Sequence, residues 1–474
     1  MADAGERLGR LRERVLSEEN IVRLLVWLAV PLMASSSVRI LYEAVDAFWL
    51  SRLGEAALGT PIVSWPYPDI VFAVAFGLSG SVSAIAGQYI GAGLYDRASR
   101  SAGTVLGLIM IVAVPGSIAI AATAPLYLDA IGVPETVKPL AEVYLAIIAL
   151  GTPFSALFLF FNMLLGAAGD TRTPVKVSIA ATAINAVLDP ILIFVADLGV
   201  LGAALATFIA SLFSASYAAY SLATGRHGFR LGIRDLIPDR SLLPLVAKVS
   251  APLVVQRLGM TLGFMVMAGI VAGLGEVVLA AYQVGHVALS IDSIISMPLA
   301  RSVGIVVAQS LGAGQTWRAR KAVKTGLLLL AGFVGAYIAA IVYFAEEFAR
   351  IFTSNPETVK VIVDMLHVFG PSILSFNLLT LANVVARSSG HTFFISALGI
   401  ARLWFLRIPL SWLLAYQLGL GEKGLWAGMA ISNHVAGGTA LAWLAYGNWA
   451  KPVITQEQRE HKPGHMKTQS QQQG

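Results

Sequence analysis

Four polar side chains interrupt the first apolar run of the chain: Arg39, Tyr42, Glu43 and Asp46. At roughly 100° per residue they fall within one helical sector of about 100°. A second set, Thr182, Asn185 and Asp189, shares one helical face and is followed by Pro190, with Thr207 one run further on. Two acids, an amide and a hydroxyl are hard oxygen donors. If they converge, they suit a small cation such as Na⁺, or a carboxylate pair that shares one proton. For Arg39 and Glu43 an i,i+4 ion pair is the plainer reading, and for Asp189 it is a hydrogen-bonded acid in helix packing. The second half carries Arg257, His286, Asp292, Arg301, Asp364 and His367 in apolar surroundings. Of these, Asp292 lies mid-run and is the alternative coupling acid.

The elements that hold these residues are membrane helices. Of 474 residues, 57% are hydrophobic and 13% charged, against roughly 25% charged in soluble domains. A soluble enzyme, a fibrous protein and a disordered chain are excluded on that ground. Apolar runs fall at 22–50, 58–88, 101–128, 138–167, 175–197, 199–224, 243–272, 277–309, 322–349, 358–386, 393–418 and 424–449. Each is long enough to cross a bilayer, which takes about 20 residues, so the fold class is an all-α polytopic membrane protein with twelve spans. There is no Cys, which removes thiol and disulfide chemistry. The net charge of +6 fits a positive-inside bias: the predicted cytoplasmic segments hold 23 Lys and Arg and the opposite side five. Both termini are therefore expected in the cytoplasm. The first twenty residues alternate Arg with Glu, which reads as an amphipathic cytoplasmic helix and not as a signal peptide.

The chain repeats itself. A shift of 221 residues lays Pro31 on Pro252, Gln88 on Gln309, Gly91-Ala92-Gly93 on Gly312-Ala313-Gly314, Asn162 on Asn383 and Gly169 on Gly390. Six spans per unit give both halves the same orientation, so the cavity between them is the natural substrate site. The expected division is a 1–20 segment, an N-lobe at 21–224, a linker at 225–242, a C-lobe at 243–450 and a disordered tail at 451–474. The shift takes Asp46, Asn185, Asp189 and Thr207 to Met267, Leu406, Leu410 and Gly428. The acidic set thus belongs to one half. Gly259 with Gly263, and Gly269 with Gly273, are small-residue spacings that suit close helix packing.

The segments LAVPLMASSSVRILYEAVDAFWLSRLGEAAL, GQYIGAG, GAAGDTRTP, NAVLDPILI and LGVLGAALAT, with AQSLGAG and RLWFLRIPL in the second half, resemble the multidrug and toxic compound extrusion (MATE) transporters. The first half is most similar to the archaeal and DinF-type branch. The resemblance implies two six-helix lobes and a secondary active antiporter in the cell membrane. It would export amphiphilic, cationic organic compounds in exchange for H⁺ or Na⁺ by alternating access. It places Asp46 and Asp189 in the coupling acid positions, with Asn185 and Thr207 beside them and Pro31 where the first span bends. Tyr42, Tyr144 and Asn162 match positions that line the lobe. Arg39 and Glu43 stand where that branch more usually has neutral residues: an Arg near Asp46 would favour its ionised form, unless Glu43 neutralises it. The expected partners are a small molecule and the bilayer, without nucleic acid, and the expected state is a monomer. No enzyme motif, catalytic metal cluster or Walker loop is present, and no cofactor beyond the coupling ion is expected. The alternative is a flippase for a lipid-linked sugar, which would favour spans beyond twelve and a strongly cationic cavity.

Overall fold

The computed structural model describes residues 2–454, except for the side chains of 2–5, 39–47, 51, 55, 56 and 58. Every regular element among the described residues is helical. The first half comprises α1 (Ala2–Ser17), α2 (Ile21–Ser51), α3 (Glu55–Ser64), α4 (Pro66–Gly91), α5 (Tyr95–Ala122), α6 (Ala124–Ala130), α7 (Lys138–Ala167), α8 (Arg172–Pro190) and α9 (Gly199–Thr224). The second comprises α10 (Leu243–Ala272), α11 (Glu276–Gly312), α12 (Thr316–Tyr343), α13 (Ala345–Arg350), α14 (Pro356–Phe369), α15 (Ser372–Ser389), α16 (Thr392–Ala401), α17 (Ile408–Trp412) and α18 (Gly421–Tyr446).

Among the described residues ten helices are each long and apolar enough to cross a bilayer, and α14 with α15 forms an eleventh span bent by 53°. The twelfth is α18, whose first turn carries Glu422 and whose middle carries Ser432, Asn433 and His434. The 221-residue shift recurs in the backbone. It carries α5 onto α12 end for end, and the start of α3 and the end of α4 onto the two ends of α11.

Departures from this symmetry have local causes. In the first half the second span, expected as one run from 58 to 88, is split at Trp65–Pro66; the second half has Val287 at the position of Pro66 and stays continuous. In the second half the fourth span breaks at Gly370–Pro371. A proline lacks the N–H that an interior helix position donates, so the ladder fails there.

The lobes meet through two equivalent pairs, α2 on α11 and α10 on α4. Within α2, Ile21, Leu24, Leu25, Leu28 and Ala29 are buried in the C-lobe core, whereas Leu50 joins a cluster with Tyr144 and Ile193 of the N-lobe. Pro31 lies between these two attachments, so α2 belongs to both lobes and its weakest backbone point sits where it passes from one to the other.

At the end of the bundle where α1 and residues 451–454 lie, the lobes touch backbone to backbone. A Cβ on Gly91 would collide with the Gln309 carbonyl, and one on Gly312 with the Gln88 carbonyl. Gln88 donates to the Ser389 carbonyl at 3.1 Å, and Gln309 to the Ala167 carbonyl at 2.7 Å. Helix α1 lies across this end: Arg12 donates to the Gly91 carbonyl, Arg7 pairs with Asp170, and Arg318 holds the Val15 and Glu18 carbonyls. The expected tail begins differently from a free segment. The Val453 N–H donates to Gln88 Oε1 at 2.9 Å, because the chain runs back beneath α15; residues 455–474 of that tail lie outside the described residues. The 225–242 stretch is likewise packed, with Asp235 and Leu236 against Gly103 and Gly107 of α5 and Asp239 paired with Arg100 at 2.9 Å.

Candidate functional site

The N-lobe polar set forms at the end of α8. Asn185 and Asp189, four residues apart, face inward and are fully buried. The Asn185 amide donates to one Asp189 carboxylate oxygen at 3.3 Å and lies 3.5 Å from Thr207 Oγ1. Turned over, it donates to the other carboxylate oxygen at 3.0 Å and accepts the Thr207 N–H at 3.2 Å. Either orientation ties α8 to α9. Immediately after Pro190 the helix widens into a π-helical turn, Ile191–Val195. Such turns recur at functional sites.

Thr207 also lines a cavity of about 250 Å³ in the N-lobe, with Trp65, Asp69, Phe72, Thr152 and Phe208. Asn185, which reaches both Asp189 and Thr207, thus links the buried acid to one wall of this cavity. A carboxylate, an amide and a hydroxyl with this access can take a proton or donate oxygen atoms to Na⁺. Tyr144, expected to line the lobe, is buried instead in the N-lobe cluster with Leu50 and Ile193, outside the wall of this cavity. The side chains of Arg39, Tyr42, Glu43 and Asp46 lie outside the described residues; their backbone continues α2, which packs on α8.

Asn162 lines a smaller cleft of about 50 Å³ between the lobes, opposite Arg301 and Arg387. Asp69, at the start of α4, pairs with Arg257 of α10 at 2.9 Å and joins the lobes by charge. The C-lobe acid Asp292 is buried and accepts from Ser296 at 3.1 Å and Asn377 at 2.8 Å. Asp364 and His367 depart from the expectation of buried charge. Asp364 pairs with Lys423 at 3.4 Å, and His367 is exposed with its Nδ1 on the Val363 carbonyl, because α14 starts at a polar turn and these residues face away from the core. Of the glycine pairs, Gly259 and Gly263 pack against Ile400 and Leu403, and a Cβ on Gly269 would meet nothing within 4 Å.

Arg387, Arg402, Arg407 and Asn433 are not among the site residues expected from the sequence. In the structure Arg387, 9% exposed, faces the interlobe cleft. Arg402 and Arg407 converge on Asn433 beside a second cavity of about 250 Å³, inside the C-lobe. The available signal was an arginine in the middle of an apolar run, which is expensive in a membrane and marks a function by default.

Comparison with known proteins agrees with this architecture. The MatE family model matches residues 31–191 and again 252–413, the same two units that the internal repeat defines. The chain is 28% identical over 429 residues to the FAD transporter of Shewanella oneidensis strain MR-1, covering 88% of this chain and 93% of that protein. It is 25% identical over 441 residues to the Probable multidrug resistance protein YpnP of Bacillus subtilis strain 168, covering 91% and 97%. A MATE crystal structure in the bent conformation superposes with a TM-score of 0.85 at 22% identity, covering 93% of this chain and 96% of that one. A matched repeat over two thirds of the sequence, laid on two facing six-helix lobes, leads to one assignment: the chain belongs to the MatE family and is a multi-pass membrane transporter.

Proposed function

We propose that the protein is a secondary active multidrug efflux antiporter that exchanges H⁺ or Na⁺ for amphiphilic organic compounds. The observation that carries this reading is the Asn185–Asp189–Thr207 set, buried in the N-lobe and opening through Thr207 onto an aromatic-lined cavity. Desolvation opposes the charged form of a buried carboxylate. A change in the hydration of this lobe therefore changes its appetite for a cation. A ligand moves a conformational equilibrium only through its different affinity for the two states, so ion and substrate must favour opposite ones. Asp46, on the facing helix, is the second coupling acid of this proposal, and α2 is the moving element, bending at Pro31.

The charge bias supports a plasma-membrane orientation with both termini in the cytoplasm; in that orientation the backbone-to-backbone closure at Gly91 and Gly312 would shut the cytoplasmic side. A cationic substrate would meet Trp65, Phe72 and Asp69 in the N-lobe. The flippase alternative shares a cationic cleft, at Arg301 and Arg387, but not additional spans. The test uses everted membrane vesicles in which H⁺ and Na⁺ gradients are imposed separately. A fluorescent amphiphile should accumulate when one of the two gradients is present and stop when it is collapsed. Accumulation that ignores both gradients would defeat the antiport reading.

A further inference from the structure

Arg402 and Arg407 are 1% and 5% exposed, inside the membrane-spanning region. They are five residues apart, which on an α-helix would point them about 140° from each other at roughly 100° per residue. They nevertheless share one acceptor: Arg402 Nη1 donates to Asn433 Oδ1 at 2.8 Å and Arg407 Nη2 to the same oxygen at 2.6 Å. The reason is a π-helical turn spanning Arg402–Arg407, whose wider winding brings residues i and i+5 together.

The repeat shows that this turn is an addition to the fold. The π-helical segment Leu413–Gln417 has a counterpart at Ile191–Val195, whereas the residues equivalent to Arg402, Arg407 and Asn433 are Ala181, Ala186 and Leu212, and α8 is regular there. Close packing within a lobe does not require the arginine pair, since the first half packs without it.

Two buried guanidinium groups demand counter-charge, since burying unpaired charge is costly and like charges repel. Among the described residues neither has a carboxylate partner. The acids on the elements around them are engaged or remote: Asp292 with Ser296 and Asn377, Asp364 with Lys423, and Glu357 and Glu422 in the first turns of α14 and α18. Arg402 Nε is buried with no hydrogen-bond partner. Both arginines line the C-lobe cavity of about 250 Å³, whose wall also carries the rings of Phe264, Tyr282, His286, Phe369 and Phe376.

We propose that this cavity binds an organic anion, a carboxylate or phosphate head carried on an aromatic body. The head would sit on the Arg402–Arg407 pair, where guanidinium groups match carboxylate and phosphate geometry, and the body would lie against the aromatic wall. The site lies in the other lobe from Asp189, and its occupation requires no ion gradient, so it stands or falls apart from the antiport reading. An acidic lipid headgroup and a soluble aromatic acid present the same chemistry to it.

The test is equilibrium binding of radiolabelled naphthoate to the purified full-length protein in phosphatidylcholine nanodiscs. Naphthyl phosphate should compete, and neutral naphthamide should compete about tenfold more weakly or worse, since hydrogen bonds to charged groups carry that much discrimination. Asn433→Asp places a carboxylate between the two guanidinium groups. It should keep or raise the thermal unfolding midpoint while weakening naphthoate binding at least about tenfold; if it fails to fold, Arg402→Gln carries the same expectation for binding. Displacement of naphthoate by added phosphatidylglycerol would identify a lipid as the anion, and no displacement a soluble acid; both keep the site. Naphthamide binding as tightly as naphthoate, or a folded Asn433→Asp protein binding naphthoate like the wild type, would overturn it.

Discussion

His227 carries a pH dependence that belongs to its immediate surroundings. It lies just beyond α9, is 7% exposed, and places Nε2 3.3 Å from the Tyr217 hydroxyl and Nδ1 3.7 Å from Asp170. Burial lowers its pKa from the ordinary 6.5, with Arg7 and Arg226 acting in the same direction and Asp170 against. The folded protein therefore holds His227 neutral while the unfolded chain protonates, and stability falls as pH drops below about 6.5 toward the depressed folded value. The unfolding midpoint should decrease between about pH 7.5 and about pH 5.5, and His227→Gln should flatten that dependence; an unchanged slope in the variant would remove His227 from the account. At the same scale, Asn185 and Asp189 were legible in the sequence because four residues is close to one helical turn. Arg402 and Arg407 were not, because five residues reach one face only on a π-helical turn, and nothing in RLWFLR announces that extra width.

Helices are the scale at which the repeated glycine motifs acquire their reason. GQYIGAG and AQSLGAG end α4 and α11 at the same repeat position. Gly91 and Gly312 are there because each passes against the other helix's backbone, while Gly93 and Gly314 turn the chain with φ of +78° and +75°, where a side chain would be strained. Gly91→Val should destabilise the protein by about 1–3 kcal/mol through overpacking. Gly332→Val, on α12 where a Cβ meets nothing within 4 Å, should stay within about 0.5 kcal/mol of wild type. Thermal unfolding in detergent compares them, and equal loss at both positions would contradict the close-approach explanation. The hydrophobic runs gave most span positions within a few residues, but they did not show the break at Pro66 or at Pro371. Both interruptions occur inside continuously apolar sequence, where hydropathy carries no information about a missing backbone N–H.

At the scale of the whole molecule, duplication supplied two similar lobes, and subsequent substitution gave them opposite chemistry. The first half keeps Asn185 and Asp189 beside its cavity, and the second keeps Arg402 and Arg407 beside its own. The symmetry was legible because turn and packing residues survive at a constant shift of 221 residues. The association of the ends, with α1 and the 451–454 segment laid across both lobes, was not, since it depends on contacts between residues hundreds of positions apart. The proposed antiport requires that one lobe's ion occupancy be felt by the whole bundle, and α2, rooted in both lobes, is the element proposed to transmit it. The most direct measurement is gradient-driven substrate efflux from proteoliposomes containing wild-type or Asp189→Asn protein, with substrate binding measured alongside. The substituted protein should still bind substrate but should lose the acceleration that the ion gradient gives. An Asp189→Asn protein that responds to the gradient as the wild type does would contradict the coupling site.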